Sequence, residues 1–160
     1  MNRRPLILLA ALALAGCGQA GADTPRVKTA AGSPATIDIA DRGSLGSIIV
    51  DAQDRTLYLF ARDTGGKSAC SGACEESWPP LRAGGKPVAG AGLTGRLATV
   101  ARSDGAPQIT YDGHPLYRFA ADQKPGDTNG QGVNEFGGLW FTVSRSGTAA
   151  TGSGTGSSGY

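Results

Sequence analysis

Short apolar runs, each only four or five residues long, alternate with polar turn residues through the middle of this chain. Ser47-Ile48-Ile49-Val50 is followed by Asp51-Ala52-Gln53-Asp54 and then by Thr56-Leu57-Tyr58-Leu59-Phe60. β-Branched and aromatic runs bounded by turn residues predict two strands of a hairpin. The pattern recurs at Gln108-Ile109-Thr110-Tyr111, the turn Asp112-Gly113, and Pro115-Leu116-Tyr117-Arg118-Phe119. Asp-Gly favours a tight hairpin because both positions tolerate positive φ. Further strands are expected at residues 36–39, 97–102 and 139–143. A brief helical turn is expected over residues 71–77, stopped by Pro79-Pro80. The fold class that follows is all-β: a small single domain of two related antiparallel hairpin units, forming a compact sheet, sandwich or barrel.

The two hairpins are copies. Leu57-Tyr58-Leu59-Phe60-Ala61-Arg62-Asp63 aligns with Leu116-Tyr117-Arg118-Phe119-Ala120-Ala121-Asp122. The shared pattern is Leu-Tyr-x-Phe-Ala-x-Asp. Along a strand, Tyr and Phe two apart share a face, and the leucine takes the other. The aspartate follows the strand end, where a carboxylate can accept backbone N–H bonds. The expectation is structural. Tyr58, Phe60, Tyr117 and Phe119 supply core aromatics, each tyrosine hydroxyl finds a partner, and Asp63 and Asp122 cap turns.

The ends differ in character. Asn2-Arg3-Arg4 precedes ten apolar residues, Leu6 to Ala15. That is too short to span a bilayer, which takes about 20, and it reads as an export signal over residues 1–16. Residues 17–35 are rich in Ala, Gly, Thr and Pro and read as a flexible tether. Residues 147–160 are mostly Gly, Ser and Thr and read as a disordered tail. The folded domain is therefore expected over residues 36–146, with room for one core. Glycine is 26 of 160 residues, against a usual share of about 7%, and inside the domain it marks turns.

Leu14-Ala15-Gly16-Cys17 resembles the lipobox of bacterial lipoproteins. The resemblance implies cleavage before Cys17, a diacylglyceryl group on its thiol, and a lipid anchor on the extracytoplasmic side of a bacterial membrane. Two acyl chains hold where one dissociates, at about 0.8 kcal/mol per buried methylene. Loss of residues 1–16 removes Arg3 and Arg4 and no acid. Fifteen Lys and Arg become thirteen, against thirteen Asp and Glu. A near-neutral chain excludes nucleic acid as the expected partner, because phosphate binding needs a basic surplus. It excludes a polybasic membrane patch as well, so the membrane is met through the N-terminal lipid.

With Cys17 assigned to lipid, Cys70 and Cys74 remain. An even pair in an oxidising compartment predicts a disulfide. The rival reading is a redox or copper-handling site, since two thiolates suit Cu(I) and the single histidine, His114, could complete it. The plain reading of His114 is an exposed turn residue. Asp127-x-Asn129-x-Gln131-Gly132 echoes the start of a calcium loop, but the position of the bidentate glutamate is Gly138. That segment is expected to be a turn-rich surface loop, and no metal or cofactor is expected.

Over residues 44–143 the chain resembles the bacterial secreted-repeat lipoproteins that carry a Tyr-x-(Phe/Trp/Tyr)-x-x-Asp motif, a family of unknown function. Both motif copies are present, Tyr58/Phe60/Asp63 and Tyr117/Phe119/Asp122. The segments 67–74, Trp78-Pro79-Pro80-Leu81, 124–132 and Gly138-Leu139-Trp140-Phe141 match as well. Glu135-Phe136-Gly137 departs from the pattern by lengthening the loop before Trp140. The resemblance implies an envelope location and a repeat architecture, and it implies no reaction. No Ser–His–acid arrangement or Gly-x-Ser-x-Gly turn is present. The expected role is non-enzymatic: a module that binds an envelope protein or a small ligand.

Overall fold

The computed structural model describes residues 34–152. The export signal, Cys17, most of the tether and the last residues of the tail lie outside the described residues. Within them the chain is all-β, with one short helix. The strands are β1 (Thr36–Asp41), β2 (Ser47–Asp51), β3 (Tyr58–Phe60), β4 (Val88–Ala89), β5 (Leu97–Val100), β6 (Gln108–Tyr111), β7 (His114–Pro115), β8 (Asn134–Glu135) and β9 (Gly138–Thr142). The helix α1 spans Ala73–Ser77, within the turn expected over residues 71–77. Three small sheets result, ordered β2-β1-β4, β3-β9-β8 and β5-β6-β7. Each strand expected from the hydrophobic pattern has a counterpart, but the one expected over residues 115–119 is reduced to β7 and an isolated bridge at Tyr117, so Phe119 lies beyond any strand.

Each repeat begins the same way. β1 pairs antiparallel with β2 with Ile39 opposite Ile49, and β5 pairs antiparallel with β6 with Thr99 opposite Ile109. Each then turns back. Asp54 and Asp112 both take positive φ, 58° and 48°, and Gly113 follows at 87°. Asp51 fixes the first turn by accepting the Gln53 and Arg55 N–H groups at 2.9 and 3.0 Å.

The returning strands do not stay with their hairpin partners, and here the structure departs from the simple two-hairpin expectation. After the Val50–Thr56 bridge, β3 leaves β2 and pairs with β9, Phe60 opposite Trp140. After β7, Tyr117 pairs with both Tyr58 and Pro80. The cause is a wedge. Val143 enters the first hairpin: Ile49 donates to Val143, Val143 to Leu57, and Leu57 to Ile49, at 2.8, 3.2 and 3.2 Å. Leu81 enters the second in the same way: Ile109 donates to Leu81, Leu81 to Leu116, and Leu116 to Ile109, at 2.8, 2.8 and 3.0 Å. Two matching rings of three backbone bonds result. In each, the wedge comes from the end of the opposite repeat.

The two repeats are thus interleaved. The segment that closes the first repeat, Trp78 to Arg82, pairs with the second, and the segment Trp140 to Ser144 pairs with the first. Leu57, Leu81, Leu116, Val143, Ile37, Ile49 and Ile109 meet in one aliphatic core, all 2% exposed or less. An aromatic core lies beside it. Packing continues past residue 146, the expected end of the domain. The chain turns at Ser144–Thr148, Ala150 donates to Thr142 at 2.8 Å, and Ala150 is buried against Ile48 and Val50. Its small side chain and the Gln131 amide that donates to its carbonyl, at 2.8 Å, hold this segment in place.

Candidate functional site

The motif residues converge at the join between repeats. Tyr58 and Tyr117 are adjacent backbone partners: each N–H donates to the other's carbonyl, at 2.9 and 3.0 Å. Both side chains are fully buried. Their hydroxyls cross over. Tyr58 donates to Asp122 Oδ2 at 2.7 Å, and Tyr117 donates to Asp63 Oδ2 at 2.8 Å. The second carboxylate oxygens accept backbone N–H groups, Asp63 from Ala69 at 2.8 Å and Asp122 from Asn129 at 3.0 Å. The expected turn-capping role of the aspartates therefore stands beside a second one, holding the other copy's tyrosine.

Burial sets the electrostatics. It pushes both phenols far above the ordinary tyrosine range, and for Tyr58 the bond to the Asp122 carboxylate adds to it. Asp63 is also raised, by burial first, against the opposing pull of the Ala69 N–H and the Tyr117 hydroxyl. Neutral phenols donating to carboxylates are the stable state of such a buried pair.

Around these pairs the large aromatics stack across the join. Phe60 lies on Trp140 at 4.0 Å, Trp140 on Trp78 at 4.0 Å, and Trp78 on Phe119 at 4.1 Å. Tyr58 meets Trp78 edge-on at 5.5 Å, and Tyr117 meets Trp140 edge-on at 5.0 Å. Phe60 and both tryptophans are 2% exposed or less, whereas Phe119, at the other end of the stack, is half-buried. Gly130 permits the packing: a Cβ there would lie 2.7 Å from the Tyr58 ring and 2.9 Å from Trp78. Glu135 receives both indoles, Trp78 on its carboxylate at 2.9 Å and Trp140 on its carbonyl at 3.3 Å. The inserted Glu135-Phe136-Gly137 loop thus caps the stack.

The tryptophans were legible as isolated segments but not as a repeat element. Trp78-x-x-Leu81 and Trp140-x-x-Val143 have equivalent places in the two copies. The spacing hides it, at twenty residues from Tyr58 to Trp78 and twenty-three from Tyr117 to Trp140. The three extra residues match the Glu135-Phe136-Gly137 insertion.

Cys70 and Cys74 form a disulfide, with Cα atoms 5.4 Å apart. Both are buried at the edge of the aromatic core. Arg102 anchors this segment, and sequence reading gave no sign of that role. It donates to Cys70 O and Gln108 Oε1, both at 2.7 Å, to Ser68 Oγ at 2.6 Å, and pairs with Glu75. Ser68 in turn bonds the Tyr117 hydroxyl at 2.7 Å, which links the disulfide segment to the motif. A cavity of about 400 Å³ opens beside Cys70, lined by Lys67, Ser68, Ser71 and Arg102 among others.

His114 is half-buried on β7, next to the Asp112-Gly113 turn. Among the described residues, no cluster of three His, Cys, Asp or Glu side chains is placed to hold a metal ion. The calcium-like segment is a loop whose polar groups are used internally. Asp127 accepts the Gln123 and Lys124 N–H groups, both at 3.0 Å, and Gln131 Oε1 accepts from Thr142 N–H and Oγ at 2.7 and 2.9 Å. A cavity of about 630 Å³ lies along β5 between Leu97, Ala98 and Thr99 on one side and residues 83–87 on the other.

No curated protein and no solved structure matches the chain. A family model described as a secreted repeat of unknown function matches residues 40–82 and 98–144. The two matched stretches end just beyond Leu81 and Val143, the residues that wedge open the opposite hairpins. With two copies covering more than half its length, the chain belongs to this family of secreted repeats.

Proposed function

We propose that this protein is a lipid-anchored envelope lipoprotein whose β domain is a non-enzymatic binding or structural module. Membership in the secreted-repeat family supports an extracellular or envelope location. The anchor rests on Leu14-Ala15-Gly16-Cys17. One observation carries the non-enzymatic reading. The motif that marks the family spends its polar groups on itself, with each tyrosine held by the other copy's aspartate. Groups so used and so buried are not free to move protons to a substrate. The partner is an envelope protein or a small ligand, and no nucleic acid.

The test uses the full chain in its bacterial host. Metabolic labelling with palmitate should place lipid on the protein, and Cys17→Ser should abolish labelling and release the protein from membranes. A mature chain that begins at Cys17 with no acyl mass would overturn the anchor. The rival copper or redox reading needs free thiolates at Cys70 and Cys74. Alkylation of unreduced protein taken directly from the envelope should modify neither, and modification of both would favour that rival.

A further inference from the structure

The two repeats differ at one sheet edge. In the first, the outer side of β1 is covered by β4, which lies parallel to it with Thr36 opposite Val88 and Ile37 opposite Ala89. Val88 N–H donates to Ala35 O at 2.9 Å, and Gly90 N–H donates to Ile37 O at 2.7 Å. In the second repeat β5 takes the place of β1. Thr99 stands opposite Ile109 as Ile39 stands opposite Ile49, so Leu97 corresponds to Ile37.

The outward groups of β5 follow from its ladder. Asp112 N–H donates to Arg96 O, so the hydrogen-bonded pairs on this side are Ala98 with Thr110 and Val100 with Gln108. Ile109 confirms this, because it turns its own N–H and C=O toward Leu81 and Leu116. Leu97 and Thr99 therefore point their N–H and C=O groups away from β6. Among the described residues no hydrogen bond uses them. No charged side chain interrupts Leu97-Ala98-Thr99-Val100, and Thr99 is exposed. Such an edge is a template for another strand.

Among the described residues, no segment of the second repeat fills this edge as β4 fills the other. After Leu81 the first repeat runs through residues 83–87 to β4 and covers β1. After Val143 the second repeat doubles back, and Ala150 bonds Thr142. The cavity along β5 has shallow walls of Ala83, Gly84, Gly85 and Pro107, room for an extended backbone with small side chains.

We infer that the β5 edge is a docking site for an extended segment of a partner protein, added as a parallel fourth strand. The segment is uncharged and built of small and β-branched residues, in the manner of Pro87-Val88-Ala89-Gly90 on β1. Backbone bonds to Leu97 and Thr99 supply the attachment, one bonded position further along the strand than the Ala35 and Ile37 carbonyls that β4 uses. This site goes beyond the reading of an anchored module and does not depend on Cys17.

The test is an ¹⁵N-detected titration of the full mature chain with a capped synthetic peptide of the sequence of residues 87–92, which carries no charge. A saturable shift of the Leu97 and Thr99 amides is expected. Methylating the peptide nitrogen that corresponds to Gly90 should weaken binding about tenfold, as loss of one backbone bond does. Thr99→Pro removes an outward donor only and should have a similar effect, while Thr99→Ala should bind as the parent does. No saturable response at millimolar peptide, shifts confined to β1, or equal binding of the methylated peptide would overturn the inference. Protection of the Leu97 and Thr99 amides by self-association, without peptide, would overturn it too, by making a second copy the occupant. Palmitate labelling of Cys17 is a separate readout, so failure here leaves the anchor reading untouched.

Discussion

Tyr58 donates its hydroxyl proton to Asp122, a residue of the other repeat, across 2.7 Å. Asp122 is 2% exposed, and its other oxygen takes the Asn129 N–H and side-chain amide. Tyr58→Phe leaves a buried carboxylate short of one donor. It should cost about 1–3 kcal/mol, the penalty for a buried group left unsatisfied. Tyr117→Phe should cost less, because its partner Asp63 is only half-buried and reaches water more easily. Urea melts of the two variants check the order.

Asp63 carries a pH signature. Burial raises its folded pKa above the ordinary carboxylate value. The folded state therefore holds the proton more tightly than the unfolded state does. The stability this contributes is full below the unfolded pKa and is lost as pH rises through the folded one. Asp63→Asn keeps one acceptor oxygen of the two that Tyr117 and Ala69 use, a loss that does not vary with pH, and it has no proton to lose. Its stability relative to the parent should improve from pH 3 to pH 7. Denaturant melts across that range check the sign, and a constant difference would contradict it.

The phenols give the opposite end of the scale. Tyr58 and Tyr117 are held far above the ordinary tyrosine range, chiefly by burial. The stability from keeping them neutral is present below the unfolded value of about 10 and is lost above it. Above pH 10, tyrosinate absorbance from these two should appear only together with unfolding. Parallel absorbance and circular dichroism titrations check it.

Truncations along the aromatic stack should be graded. Phe60→Ala removes a ring 2% exposed and should cost about 3–5 kcal/mol. Phe119→Ala removes a half-buried ring and should cost less. Gly130→Ala should also destabilise, by about 1–3 kcal/mol, since a Cβ at 2.7 Å from the Tyr58 ring forces a shift. Melts of the three variants test the ranking.

The disulfide closes a short loop, so its contribution is modest. Cys70→Ser with Cys74→Ser should lower stability by about 2 kcal/mol in the chain-entropy model. Arg102 still fixes the segment through Cys70 O, Ser68 and Glu75, so the double variant should remain folded. A thermal melt with and without reductant gives the same comparison on the parent chain.

What the sequence revealed, and what it hid, divides by range. The turns at Asp51–Asp54 and Asp112-Gly113 were legible because their chemistry is local: a short carboxylate, a glycine, positive φ. Tyr58 and Phe60 were legible as core because strand alternation places them on one side. The partner of Tyr58 was not, since Asp122 lies 64 positions away and nothing in either neighbourhood names the other. The wedges Val143 and Leu81 were hidden for the same reason. Val143 looks like an ordinary strand end and Leu81 like a residue past the Pro79-Pro80 stop, and only the assembled fold shows that each opens the opposite hairpin. Arg102 read as the end of a strand, and its partners are spread over residues 68–108.

The interleaving has a consequence for biogenesis. The first repeat lacks its own wedge until Val143 is available, and Tyr58 lacks Asp122 and Trp140 until nearly the whole domain has emerged. The second ring needs nothing beyond Leu116, whereas the first stays open until the last strand supplies Val143. A chain that emerges N-terminus first therefore closes its second half before its first.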